Sequence, residues 1–257
     1  MNGKSSAGDV PVGAPALEVD QIAKNFGGIK VFEGITFKIF PGEVLGVIGP
    51  NGAGKTTLIN VISGQLQPST GKISLLGKDV TALPLHSRAK LGLVRSFQQT
   101  KTFKSATVRE NVARAFVFSG RKDSSAVESV EYLIERFDLL RQLDLQADKL
   151  PYGQQKMLGL LMTFVAQPKV LLLDEPAAGL ESSERDRIDL FVHEATSRLS
   201  CGVLLVEHDM DLVKRLCTRL LVLDGGRLLA EGTPSEVLTR KEVIEAYLGV
   251  AEEELPC

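Results

Sequence analysis

The chain has 257 residues, 44% of them apolar and 24% charged, with a formal net charge of −2. That length accommodates one large domain or two small ones with a sizeable core, and the near-neutral balance gives no reason to expect a nucleic-acid partner. No window approaches the roughly 20 apolar residues that span a bilayer. The first fifteen residues lack the apolar stretch of a secretory signal. Cys201, Cys217 and Cys257 show no CxxC spacing, which argues against a disulfide frame or a structural zinc site.

In chain order, residues 1–15 carry no periodic apolar pattern and are expected to form a flexible leader. Short strands are expected at Leu17/Val19 and at Phe37/Ile39, the second closed by a Pro41-Gly42 turn. Val44-Leu45-Gly46-Val47-Ile48 is a continuous apolar run, the mark of a strand covered on both faces. A Gly-rich stretch follows, then a helix whose Leu58, Val61 and Ile62 recur at i, i+3, i+4. Ile73 and Leu75, after Thr70-Gly71, predict one more antiparallel strand. From about Leu83 to Tyr152 the chain is polar and helix-rich, with Val130, Leu133, Ile134 and Phe137 at helical spacing. Buried-strand runs return at Val170 to Leu173, Val203 to Val206 and Leu220 to Leu223, with amphipathic helices between them. Thr233, Pro234 and Glu236 spell a capping box that is expected to open the last helix. Such alternation predicts an α/β fold, with a largely parallel sheet interrupted by a helical insertion.

Four segments carry chemistry. Gly49-Pro50-Asn51-Gly52-Ala53-Gly54-Lys55-Thr56 fits the phosphate-loop pattern and lies between a buried strand and a helix, where that pattern must lie. Its glycines let backbone N–H groups turn inward around phosphate oxygens, Lys55 would reach the β- and γ-phosphates, and the Thr56 hydroxyl would ligate Mg²⁺. Val170 to Leu173 ends in Asp174-Glu175, two carboxylates at the end of a buried strand, where ligands of open α/β sheets bind. Adjacent strand residues point apart, so one of these carboxylates can hold Mg²⁺ through its water shell while the other faces an attacking water. His208 follows Val203 to Val206 in the same placement, whereas His193 and His86 are taken as structural. Leu150-Pro151-Tyr152-Gly153-Gln154-Gln155-Lys156 opens an apolar helix and offers a second helix N-terminus to an anion.

These segments, together with Arg95-Ser96-Phe97-Gln98, stand in the order and approximate spacing of the ATP-binding cassette (ABC) ATPases, which the chain resembles from Leu17 to Gly249. Within that family it looks most like the ATPase subunits of hydrophobic (branched-chain) amino acid importers, on GPNGAGKTT, VRSFQQT, YGQQK, DEPAAGL, EHDM and the ending EAYLG. The resemblance implies a P-loop NTPase core with a mostly parallel sheet, an antiparallel β subdomain and an inserted helical subdomain over about 98–165. It places a single ATPase domain at 16–250 and a tail at 251–257.

The resemblance also assigns roles. Phe26 would stack on adenine. Gly49, Pro50, Asn51, Gly52, Ala53, Gly54, Lys55, Thr56 and Thr57 would hold the phosphates of ATP. Gln98 would sense Mg²⁺ and the γ-phosphate, and Thr56, Gln98 and Asp174 would serve the metal. Glu175 would be the general base and His208 the γ-phosphate contact, while Tyr152, Gly153 and Gln154 would cap the nucleotide of a second ATPase subunit, identical or related. Pro151 replaces the family's usual serine, and Glu181 its usual aspartate. The implied protein is the motor of an importer on the cytoplasmic face of the membrane. It would be peripheral, dock on permease subunits and serve a solute-binding protein indirectly, without nucleic acid. Urea or short-amide import is the alternative, and a non-transport ABC ATPase a more distant one.

Overall fold

The computed structural model describes residues 13–96, 102–120 and 124–252. Most of the leader, Gln98 and Cys257 lie outside the described residues. An antiparallel sheet is built from β1 (Leu17–Phe26), β2 (Ile29–Ile39), β4 (Thr70–Leu75) and β5 (Lys78–Asp79) in the order β2-β1-β4-β5. The larger sheet runs β10-β9-β3-β8-β7-β6, from β3 (Val44–Ile48), β6 (Leu93–Arg95), β7 (Val170–Asp174), β8 (Gly202–Val206), β9 (Arg219–Asp224) and β10 (Arg227–Gly232). All its pairings are parallel except β10 with β9.

The apolar runs of β3, β7 and β8 are buried at every position. Alternate residues serve two cores. Leu171, Leu173, Val203 and Leu205 face a cluster with helices α5 (Tyr152–Val165), α6 (Ser182–Leu199) and α7 (Met210–Leu216). Leu172, Leu204 and Val206 face a second cluster with α1 (Lys55–Ser63) and the antiparallel sheet. Each such side chain contributes about 1.5–3 kcal/mol by leaving water, which is why these strands tolerate no polar residue before their ends.

Between β5 and β7 lie α2 (Leu85–Leu91), β6, α3 (Val108–Ser119), α4 (Ser124–Arg136) and α5. The expected helix-rich middle is therefore helical with one exception. The segment leading toward residue 98 is the edge strand β6, paired with β7, and not a helix. The Thr233 capping box is present but opens only α8 (Pro234–Val237). The last helix is α9 (Lys241–Glu252), which runs two residues past the expected boundary at 250.

Arg88 of α2 is fully buried. Its guanidinium donates to the carbonyls of Val61 (2.9 Å), Ile62 (2.6 Å), Leu83 (2.9 Å) and Thr81 (2.7 Å). The first two are carbonyls of the last turn of α1, Val61 also accepting from the Gly64 N–H at 3.1 Å, so a cation caps the negative end of the helix that follows the phosphate loop.

Candidate functional site

The loop after β3 is shaped by close packing. A Cβ on Gly49 (φ +149°) would lie 2.0 Å from the Leu223 carbonyl oxygen, so the strand end can pass β9 only as glycine. Gly54 takes φ +97° to enter α1, a left-handed geometry open chiefly to glycine. Asn51 to Thr57 then line an open cleft together with Val31, Glu175 and His208. At its floor the Lys55 ammonium donates to the carbonyls of Gly49 (2.6 Å) and Pro50 (2.9 Å). Burial lowers the pKa of Lys55, opposed by the nearby charges of Glu175 and Asp174. A cation bonded only to carbonyls inside a nest of backbone N–H groups is a fitting receptor for a polyphosphate.

Asp174 and Glu175 diverge as adjacent residues at a strand end should. The Asp174 carboxylate turns inward and accepts from Arg95 Nη2 at 2.9 Å, both side chains being nearly inaccessible. Glu175 leaves the strand with φ +49°, a strained conformation for a residue with a Cβ, of a kind that clusters at functional sites. Its Oε1 lies 3.1 Å from His208 Nε2. Two residues outside the expected set hold this turn. Lys156 Nζ donates to the carbonyls of Pro176 (3.0 Å) and Ala178, and Glu207 Oε1 accepts from Ala177 N–H at 2.8 Å. Lys156 stands in the LPYGQQK segment and Glu207 beside His208, but their partners are backbone atoms that no spacing reveals.

Other expected residues lie apart from the cleft. Phe26, at the end of β1, is half-exposed, with Lys24 Nζ 4.8 Å from its ring centroid, and Val31 rather than Phe26 lines the cleft. Tyr152, Gly153 and Gln154 form the first turn of α5, entered through Pro151. The Tyr152 ring is exposed and packs on Gly179, while Gln154 Nε2 donates to the Asp138 carbonyl. The space a Gly153 side chain would fill is taken by the carboxylate of Glu184, whose Oε1 would sit 1.8 Å from that Cβ. Glu184 Oε2 also accepts from the Glu181 N–H at the start of α6.

No cluster of three or more His, Cys, Asp or Glu among the described residues could hold a metal ion alone. Mg²⁺ requires no such cage, since one or two oxygen ligands and the phosphates of a nucleotide suffice. The Thr56 hydroxyl and the Asp174 carboxylate are hard oxygen donors of the right kind.

Residues 32–178, from β2 to the turn after Glu175, match the family model for ABC transporter. The chain belongs to the ABC transporter ATP-binding family. Residues 227–253 match a second model, the branched-chain amino acid ATP-binding cassette transporter. The chain is 36% identical over 252 residues to the high-affinity branched-chain amino acid transport ATP-binding protein LivG of Escherichia coli strain K12, covering 92% of this chain and 99% of LivG. It is 37% identical over the same span to BraF of Pseudomonas aeruginosa, with the same coverage of both chains. The crystal structure of the ADP conformation of an ABC transporter cassette superimposes with a TM-score of 0.81 at 30% identity, covering 92% of this chain and all of that one. No described helix is long and apolar enough to cross a membrane.

Proposed function

We propose that this subunit hydrolyses ATP to drive import of branched-chain or other hydrophobic amino acids. Glu175 acts as general base. It takes a proton from water as the water oxygen bonds to the γ-phosphorus and the bond to the β–γ bridging oxygen breaks, releasing ADP and phosphate. His208 orients Glu175 and contacts the γ-phosphate. Lys55 and the loop amides hold the phosphates, and Thr56 and Asp174 would hold Mg²⁺, which would supply charge neutralisation at the transferred group. The 3.1 Å contact between Glu175 and His208 at the mouth of the loop is the observation that carries this reading.

Tyr152, Gly153 and Gln154 cap the nucleotide of a second ATPase subunit, and Phe26 stacks on the adenine ring. Permease subunits dock beside the helical subdomain formed by α3, α4 and α5, at the cleft lined by Ser96, Met162, Thr163 and Pro176. An exposed apolar patch on the same subdomain, where Phe103 stacks on Phe118 and Arg114 covers Phe103, supports this placement. The subunit thus works peripherally on the cytoplasmic face, with a solute-binding protein delivering cargo to the permeases. Likeness to LivG and BraF, extended by the C-terminal match, favours amino acid over urea as cargo. Co-purification with the native permeases and ATPase assays over a panel of amino acids and urea test this. Stimulation by leucine, isoleucine or valine is the expected result, and stimulation by urea alone would contradict it.

A further inference from the structure

We infer that Arg95 is a positioning residue for the magnesium site. Its guanidinium adds a polar brace between two elements, β7 and α1, whose other direct contact is apolar packing. Nη2 donates to Asp174 Oδ2 at 2.9 Å, at the end of β7. Nη1 donates to Asn60 Oδ1 at 2.6 Å and to Gln65 Oε1 at 3.0 Å, and approaches Ser63 Oγ at 3.4 Å. Asn60 lies on α1 four residues after Thr56, hence one turn further along the same helix face. Arg95 therefore ties the carboxylate proposed to serve Mg²⁺ to the helix that carries the hydroxyl proposed to do so. The Arg95 and Asp174 side chains are only 6% and 4% exposed, so water competes little for the contact. Arg95 itself is held in register, since β6 pairs with β7 and Ser96 N–H donates to the Leu172 carbonyl at 2.9 Å.

Mg²⁺ demands near-ideal octahedral geometry, so the spacing between Thr56 and Asp174 controls its retention more than that of the nucleotide. The planar guanidinium can serve both ends of the brace at once; a lysine ammonium, a point charge on a flexible stem, cannot hold both in fixed geometry. Arg95 touches neither nucleotide nor water in this role and acts through Asp174.

This inference rests on the reading of Asp174 as a magnesium residue, and the test separates the two. Binding of a fluorescent ATP analogue to the full chain is titrated with MgCl₂ and repeated in EDTA. Arg95→Met is expected to raise the Mg²⁺ concentration for half-maximal enhancement by roughly tenfold, the scale of one charged hydrogen bond. Binding in EDTA should stay within about twofold of the parent, because the phosphate loop is untouched. Arg95→Lys should fall between the two. In the Asp174→Asn background, Arg95→Met should add nothing further, since the pair is already broken. Should Arg95→Met fail to fold, Asn60→Ala cuts the other end of the brace while keeping the charge, and a rise in the Mg²⁺ requirement supports the inference equally. A lowered melting temperature with an unchanged Mg²⁺ requirement in Arg95→Met and Asn60→Ala, while Asp174→Asn loses Mg²⁺ dependence, would overturn it and leave the reading of Asp174 standing. Unchanged Mg²⁺ dependence in Asp174→Asn would overturn both.

Discussion

His208 Nε2 and Glu175 Oε1 meet at 3.1 Å from the ends of neighbouring parallel strands, β8 and β7, whose register pairs Val206 with Asp174. The sheet sets that distance. A residue one place beyond Asp174 and another two places beyond Val206 emerge on the same edge, beside the phosphate loop after β3. His208→Ala is expected to slow hydrolysis by roughly 10²-fold, the low end for a lost acid–base or orienting group. Affinity for MgATP, measured by equilibrium titration, should stay close to the parent. Loss of affinity with unchanged turnover would move His208 from chemistry to ground-state binding.

Lys55 is bonded to carbonyls and buried, and burial lowers its pKa. A lysine pKa lower in the folded state than in the unfolded one means the charge disfavours folding at neutral pH, a deficit relieved only as pH rises through that lowered pKa. Lys55→Met is thus expected to leave the nucleotide-free melting temperature equal or higher. Nucleotide affinity should fall at least ~10-fold with the lost charged contact. Calorimetry without nucleotide and a binding titration check the two halves separately.

Arg88 is likewise a buried cation whose pKa burial lowers, to about 10, but it is bonded to four carbonyls that join α1 to the segment before α2. Arg88→Met would leave four carbonyls around a buried site without their donor. A loss of roughly 3 kcal/mol in urea unfolding is expected, because several buried carbonyls each lose a donor at about 1–3 kcal/mol per unsatisfied group, offset by the charge no longer buried. A loss below ~1 kcal/mol would mean that water replaces the guanidinium.

Gly153→Asp would bring a second carboxylate against Glu184 and push Glu184 from the Glu181 N–H. Nucleotide binding by the monomer should survive, because the phosphate loop lies elsewhere. The ATP-bound dimer should not form, since the clash with Glu184 displaces the first turn of α5 that is proposed to cap the partner's nucleotide. Pro151→Ser is expected to be tolerated, as Pro151 has no N–H to lose. Size-exclusion chromatography with MgATP in a Glu175→Gln background compares them, and a dimer from Gly153→Asp would remove this segment from the interface.

The parts legible in the sequence were those whose signal is local. Val44 to Ile48 followed by the Gly-rich loop, and Val170 to Leu173 followed by Asp174-Glu175, each state strand, turn and chemistry within about ten residues. Arg88, Arg95 and Glu184 were not legible as functional supports. Arg88 bonds backbone carbonyls, Arg95 meets side chains 30 or more positions away, and Glu184 meets Gly153 across α5 and α6, contacts that only the fold creates. Strand β6 is not legible because three residues show no alternation and α2 ends two residues before it. The capping box at Thr233 was real, yet a cap fixes where a helix begins and not how far it runs.

The central claim is that Glu175 is the base, and Glu175→Gln tests it most directly. The substitution keeps size and hydrogen bonding toward His208 but removes the proton acceptor. MgATP should bind with parental affinity, while phosphate release in single-turnover assays should slow at least ~100-fold and the ATP-bound dimer should accumulate. Turnover within a few-fold of the parent would contradict the claim.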